Sequence, residues 1–141
     1  MKFEEFVKEV MRRASLDSRA HAQEATRATL ETLSEHLTPG EVQNFASQLP
    51  PELAVYMKQP YVGGVSDRFS LDEFFQRVSQ REGVDLLTAI QHARAVAAVL
   101  SESVSDGQLD HLRAQLPPDL AHLFVIQYGE SIPDIQAEDL S

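Results

Sequence analysis

Cysteine is absent from the 141-residue chain, which excludes disulfides, thiolate chemistry and cysteine-based zinc sites. Basic residues are scarce: 12 Lys and Arg stand against 22 Asp and Glu, a formal net charge of −10. A surface of that sign repels phosphate backbones, and Arg12-Arg13 is the only adjacent basic pair, so neither nucleic acid nor an anionic membrane is an expected partner. Long apolar runs are missing as well. The longest, Ala95 to Leu100, falls far short of the ~20 residues that span a bilayer. The opening residues carry Glu4, Glu5 and Glu9 without a central apolar stretch, so they do not read as a secretory signal, and cytoplasm is the expected location. No Gly-x-Gly-x-x-Gly or phosphate-loop pattern occurs, and no strand-turn-helix elbow surrounds a serine.

What is present is ordinary globular composition, 43% hydrophobic and 24% charged, which argues against global disorder. The clearest signal is repetition. Leu33-Ser34-Glu35 recurs as Leu100-Ser101-Glu102, and Gln48-Leu49-Pro50-Pro51 recurs as Gln115-Leu116-Pro117-Pro118, both 67 residues on. Arg27-Ala28 with Arg94-Ala95, and Gly40 with Gly107, keep the same offset, and roughly a third of positions match across the two stretches. The opening segment from Phe3 to Val10 aligns with Leu71 to Val78 at an offset of 68, so one residue was gained or lost after the first element. Duplication is the simplest account.

Each copy reads as helices. Phe3, Phe6, Val7, Val10 and Met11 form one apolar stripe, repeated by Leu71, Phe74, Phe75 and Val78. Second helices are expected from Ser18 to about Leu37 and from Asp85 to about Val104, with Ser18 and Asp85 as caps. The latter is apolar nearly all round, as suits a central helix. Third helices open on capping boxes at Thr38-x-x-Glu41 and Ser105-x-x-Gln108, and another box at Ser70-x-x-Glu73 starts the second copy. The paired prolines end the third helices, and short fourth helices are expected through Leu53–Met57 and Leu120–Ile126. The expectation is an all-α fold: two tandem pseudo-repeats of three to four helices packed as one helical bundle domain. Repeat one covers residues 1–58, a linker 59–69 and repeat two 70–126, with an acidic tail at 127–141.

The run Leu37-Thr38-Pro39-Gly40-Glu41 leading to Gln48-Leu49-Pro50, then Ser70-Leu71-Asp72-Glu73-Phe74-Phe75-Gln76-Arg77-Val78, resembles the bacterial domain-of-unknown-function family 2267. Ala93-Arg94-Ala95-Val96-Ala97-Ala98-Val99-Leu100 and Leu112-Arg113-Ala114-Gln115-Leu116-Pro117 extend the resemblance to about Phe124. It implies an all-helical bacterial protein and brings no catalytic residues with it.

Among the five histidines, His21 with Glu24 and Asp119 with His122 stand three apart, the spacing that puts two ligands on one helical face. They are the weak metal candidates. The repeat places Thr88 opposite His21 and Val55 opposite His122, so the duplication does not double the site, and solvated or capping histidines are the simpler reading. Glu31 and Glu35 read as an exposed acidic face. Arg27 and Arg94, present in both copies, are expected to reach a carboxylate or the carbonyls of a neighbouring helix end. Tyr56, Met57, Tyr61, Val62 and Val65 flank the Gly63-Gly64 turn; they either close the core between copies or form a patch for a partner chain. No catalytic residue and no cofactor is indicated. The functional expectation is a non-catalytic cytoplasmic helical module that binds a protein partner or forms a homo-oligomer, the alternative being a small-ligand or metal-binding bundle.

Overall fold

A computed structural model describes residues 1–58 and 70–124. These hold eight α-helices and no strand: α1 Phe3–Arg13, α2 Arg19–Ser34, α3 Pro39–Ala46, α4 Pro51–Met57, α5 Leu71–Glu82, α6 Leu86–Ser103, α7 Asp106–Ala114 and α8 Pro118–Ala121. The fold is all-α, as the periodicity requires.

The helix starts follow local chemistry. The Thr38 hydroxyl accepts from the Glu41 amide at 3.2 Å while the Thr38 amide donates to the Glu41 carboxylate at 2.8 Å, so this capping box closes. Ser18, Ser70, Asp85 and Ser105 each accept the amide three residues on. The expected box at Ser70 stays half-made, because Arg77, one turn on, holds the Glu73 carboxylate at 3.0 Å. At Ser105 the Gln108 amide donates to the hydroxyl, with no return bond among the described residues.

The prolines act twice over. They stop α3 and α7, and the second proline of each pair also opens the next helix at its first position, where a missing amide hydrogen costs nothing. α8 is shorter than the sequence suggests. After Ala121 the amides of Leu123 and Phe124 donate to carbonyls three residues back, so the chain tightens into turns, and residue 126 lies outside the described region. Between α5 and α6 the turn is made by Gly83 in the left-handed region (φ +75°), the usual place for glycine after a helix. Ser15 adopts positive φ (55°) at the end of α1.

Packing centres on α2 and α6. α6 packs on α1, α2 and α5, and α2 packs on α1, α4, α5 and α6. Small residues bring these helices close: Ala22, Ala25 and Ala28 of α2 and Ala89, Ala93 and Ala97 of α6 are fully buried. The buried Thr26, Thr32 and Ser101 hydroxyls bond back to carbonyls four residues earlier at 2.7–2.8 Å, so no polar atom among these three is stranded in the core. Phe6 and Phe74 seal α1 and α5 onto the same cluster, which runs unbroken from Phe3 to Phe124. Among the described residues no single helix is long and apolar enough to cross a membrane; α5 and α6 combine enough length and apolar character only as a pair, across a 100° bend.

Candidate functional site

Of the metal-candidate residues, Glu24 and Asp119 are engaged elsewhere, and His21 and His122 are exposed. Glu24 accepts from Arg27 Nε at 3.1 Å and Nη2 at 2.6 Å, while His21 is exposed on the first turn of α2. Asp119 joins α8 to the start of α5: Oδ2 accepts the Leu71 amide at 2.9 Å and Oδ1 the Leu120 amide at 2.8 Å. One carboxylate thus serves the exposed amides at the starts of α5 and α8. Asp119→Ala should lower stability by about 1 kcal/mol in urea unfolding. No change would mean that water replaces both bonds. His122 is exposed after α8. No group of three or more His, Asp or Glu side chains able to hold a metal ion exists among the described residues.

Of the interaction candidates, Met57 is a core residue, 1% exposed. Tyr56 is half-buried, and its hydroxyl accepts from Gln23 Nε2 at 3.0 Å, pinning α4 to α2. Tyr61, Val62 and Val65 lie outside the described residues.

The acidic face expected on α2 is not a solvated one. Glu35, with its side chain 13% exposed, is bound by Arg81 at 2.8 Å and Arg77 at 3.5 Å, because α5 packs directly over it. Arg81 also donates to the Thr32 hydroxyl at 2.7 Å. Arg27 does both things expected of it, holding Glu24 and Glu31 and donating to the Arg81 carbonyl at 3.4 Å. Its hydrogen bond to Glu24, opposed by desolvation and helped by Glu31, holds the guanidinium above its ordinary pKa. An Arg13–Glu102 pair at 2.6 Å ties α1 to α6 in the same fashion.

Two histidines are buried rather than solvated. His36 packs 6.3 Å from the Phe74 ring. His92, in the second turn of α6, meets Glu82 at the α5 end through Nδ1 and Oε2, with side chains 8% and 4% exposed. The second Glu82 oxygen is buried without a hydrogen-bond partner. Nearby, the Thr88 amide, and then its hydroxyl, hold the Asp85 carboxyl below its ordinary range. Sequence spacing missed the Glu82–His92 pair because the two lie on different helices brought together by the Gly83 turn.

Two surface features complete the picture. Leu86 and Leu87, on the first turn of α6, are 44% and 51% exposed, and Val55 on α4 is 54% exposed. A shallow groove of about 470 Å³ lies between the N-terminal residues Met1–Phe3 and the α3–α4 junction, with Lys2 and Glu52 as its charged groups.

No curated protein matches the chain. Residues 3–123, which include all eight helices, match the family model described as "Uncharacterized conserved protein (DUF2267)", and the chain belongs to that family.

Proposed function

We propose that the protein is a non-catalytic helical module of the cytoplasm that binds another protein chain, either a partner or a second copy of itself. The exposed pair Leu86-Leu87 carries this reading. Two adjacent leucines held in water at a rigid helix start are an apolar contact surface without a structural task. The matching positions of the first half hold Arg19 and Ala20, and Arg19 there binds Glu4 and lies 5.8 Å over the Phe3 ring. The same helix start is therefore built once without exposed leucines.

The proposed architecture is two tandem copies of a four-helix unit, related by a pseudo-two-fold axis between α2 and α6. Supporting it, the N-caps of α2, α3 and α4 recur 67 residues on at α6, α7 and α8, and the positive-φ residues Ser15 and Gly83 correspond at an offset of 68. Arg13–Glu102 and Arg81–Glu35 are then one ion pair seen twice, each running from the first helix of one copy to the second helix of the other. Nucleic acid and membranes are not partners on this view, since the net charge of −10 opposes both. The groove beside Lys2 is the feature that favours the small-ligand alternative, its volume falling in the range of about 300–1,000 Å³ usual for ligand sites.

Native mass spectrometry on full-length protein purified without chelator tests the proposal. Association that rises with concentration, and is lost in Leu86→Asp/Leu87→Asp while helicity is kept, is the expected result. A chain that stays monomeric with stoichiometric metal or metabolite bound would overturn it.

A further inference from the structure

Arg94 is the counterpart of Arg27, 67 residues on, and the two differ in what surrounds them. Arg27 holds Glu24, three residues back, and Glu31, four residues on. At the same spacings Arg94 has Gln91 and Ala98, so both carboxylates are gone while the arginine remains. Its guanidinium makes no hydrogen bond or ion pair with any described residue, and its Nε is buried without a partner. Every other described arginine holds a carboxylate or, in Arg113, the Ala121 carbonyl.

Elementary physics makes this arrangement unusual. A half-buried guanidinium without an acceptor forfeits charge-assisted hydrogen bonds that its twin makes, in a chain carrying ten excess negative charges. Its flanking residues Ala93 and Ala95 are buried, so the stem leaves the helix between packed positions and the fork is already directed. Nε is closed to solvent, whereas the Nη atoms are not among the buried unpartnered groups. An incoming acceptor is met end-on by the two Nη groups, a planar geometry that matches a carboxylate bidentately.

We infer that Arg94 is a carboxylate-binding site, taking from a ligand the group that Glu24 and Glu31 supply to Arg27. The inference rests on the two-copy architecture proposed above. The ligand is a carboxylate borne by a small organic acid or by an acidic side chain of a partner chain.

The test follows the arginine Nε–Hε resonances of the full ¹⁵N-labelled chain during titration with sodium acetate, ionic strength held constant with chloride. The Arg94 resonance should move and saturate, half-way on the order of tens of millimolar as suits a single partly screened ion pair, while that of Arg27 stays put. Gln91→Glu, at an exposed position, restores the carboxylate one turn back and should shift Arg94 before acetate is added and abolish the response. Ala98→Glu, at a buried position, is the stricter companion. An Arg94 resonance that responds no more than Arg27, or that keeps its full response in Gln91→Glu, overturns the site. Failure of the two-copy reading shows separately, as an Arg94 resonance unmoved by Gln91→Glu in the absence of acetate. A glutamate-rich helical peptide that saturates the wild-type resonance at far lower carboxylate concentration than acetate assigns the ligand to a partner chain. Equal concentrations assign it to a small acid.

Discussion

Replacing Leu100 with alanine should lower the free energy of unfolding by about 2–5 kcal/mol, read as a fall in the urea midpoint at unchanged slope. Leu100 is 0% exposed on α6, the helix that α1, α2 and α5 enclose. Losing its buried carbons forfeits their transfer free energy, and the void they leave adds a further cost that depends on how far the surroundings can collapse. Collapse is restricted here. Glu102, half a turn on, is held at 2.6 Å by Arg13, and α5 is held to α2 through Arg81 and Glu35, so the walls around Leu100 are tied to one another. The effect should therefore fall in the upper half of that range. Leu33, the matching residue of α2 and also 0% exposed, should behave alike on alanine substitution. A loss below about 0.5 kcal/mol at Leu100 would contradict a central α6.

What could be read in the sequence, and what could not, divides by distance along the chain. Ser18, Thr38 and Asp85 act within a single helical turn of themselves, so their roles follow from order and residue type alone. On the proposed two-copy architecture, the slip from an offset of 68 to one of 67 lies between the first and second helices, where the loop from Ala14 to Ser18 is longer than that from Gly83 to Asp85. Glu35 misled because helical spacing shows neighbours on one helix, such as Arg27 beside Glu31, and says nothing of the arginines that another helix brings across. Arg81 is 46 positions from Glu35 and meets it only once α5 lies on α2. Asp119 likewise reads as half of a histidine pair on its own helix, whereas its bond to the Leu71 amide spans 48 residues. Met57 reads as either core or partner patch from its place beside a glycine-rich segment; its position on the buried side of α4 follows from Leu53, one turn earlier and also fully buried. The leucines at the α6 start were legible as residues but not as exposed ones, because the apolar pattern of α6 runs nearly all round and marks no outer face.

Removing His92 alone should be costly, about 3–5 kcal/mol for His92→Ala, and removing Glu82 with it should cost less than the two single changes added together. The pair sits at the junction of α5 and α6 with both side chains more than nine-tenths buried. Deleting the imidazole leaves the Glu82 carboxylate enclosed with neither oxygen bonded, since Oε1 already lacks a partner. An uncompensated buried polar group of that kind is among the few single defects that reach several kcal/mol. The double variant Glu82→Ala/His92→Ala removes the defect and leaves a void in its place. That void is tolerable on the two-copy architecture, because the matching positions of the first half are Ala14 and Ala25, the latter fully buried between the same kinds of helix. A double-mutant cycle in urea should therefore return a coupling of at least about 1 kcal/mol. Coupling near zero would mean that His92 and Glu82 do not act as a pair. A double variant no better than His92→Ala would mean that packing volume, rather than the satisfaction of Glu82, is what this junction needs.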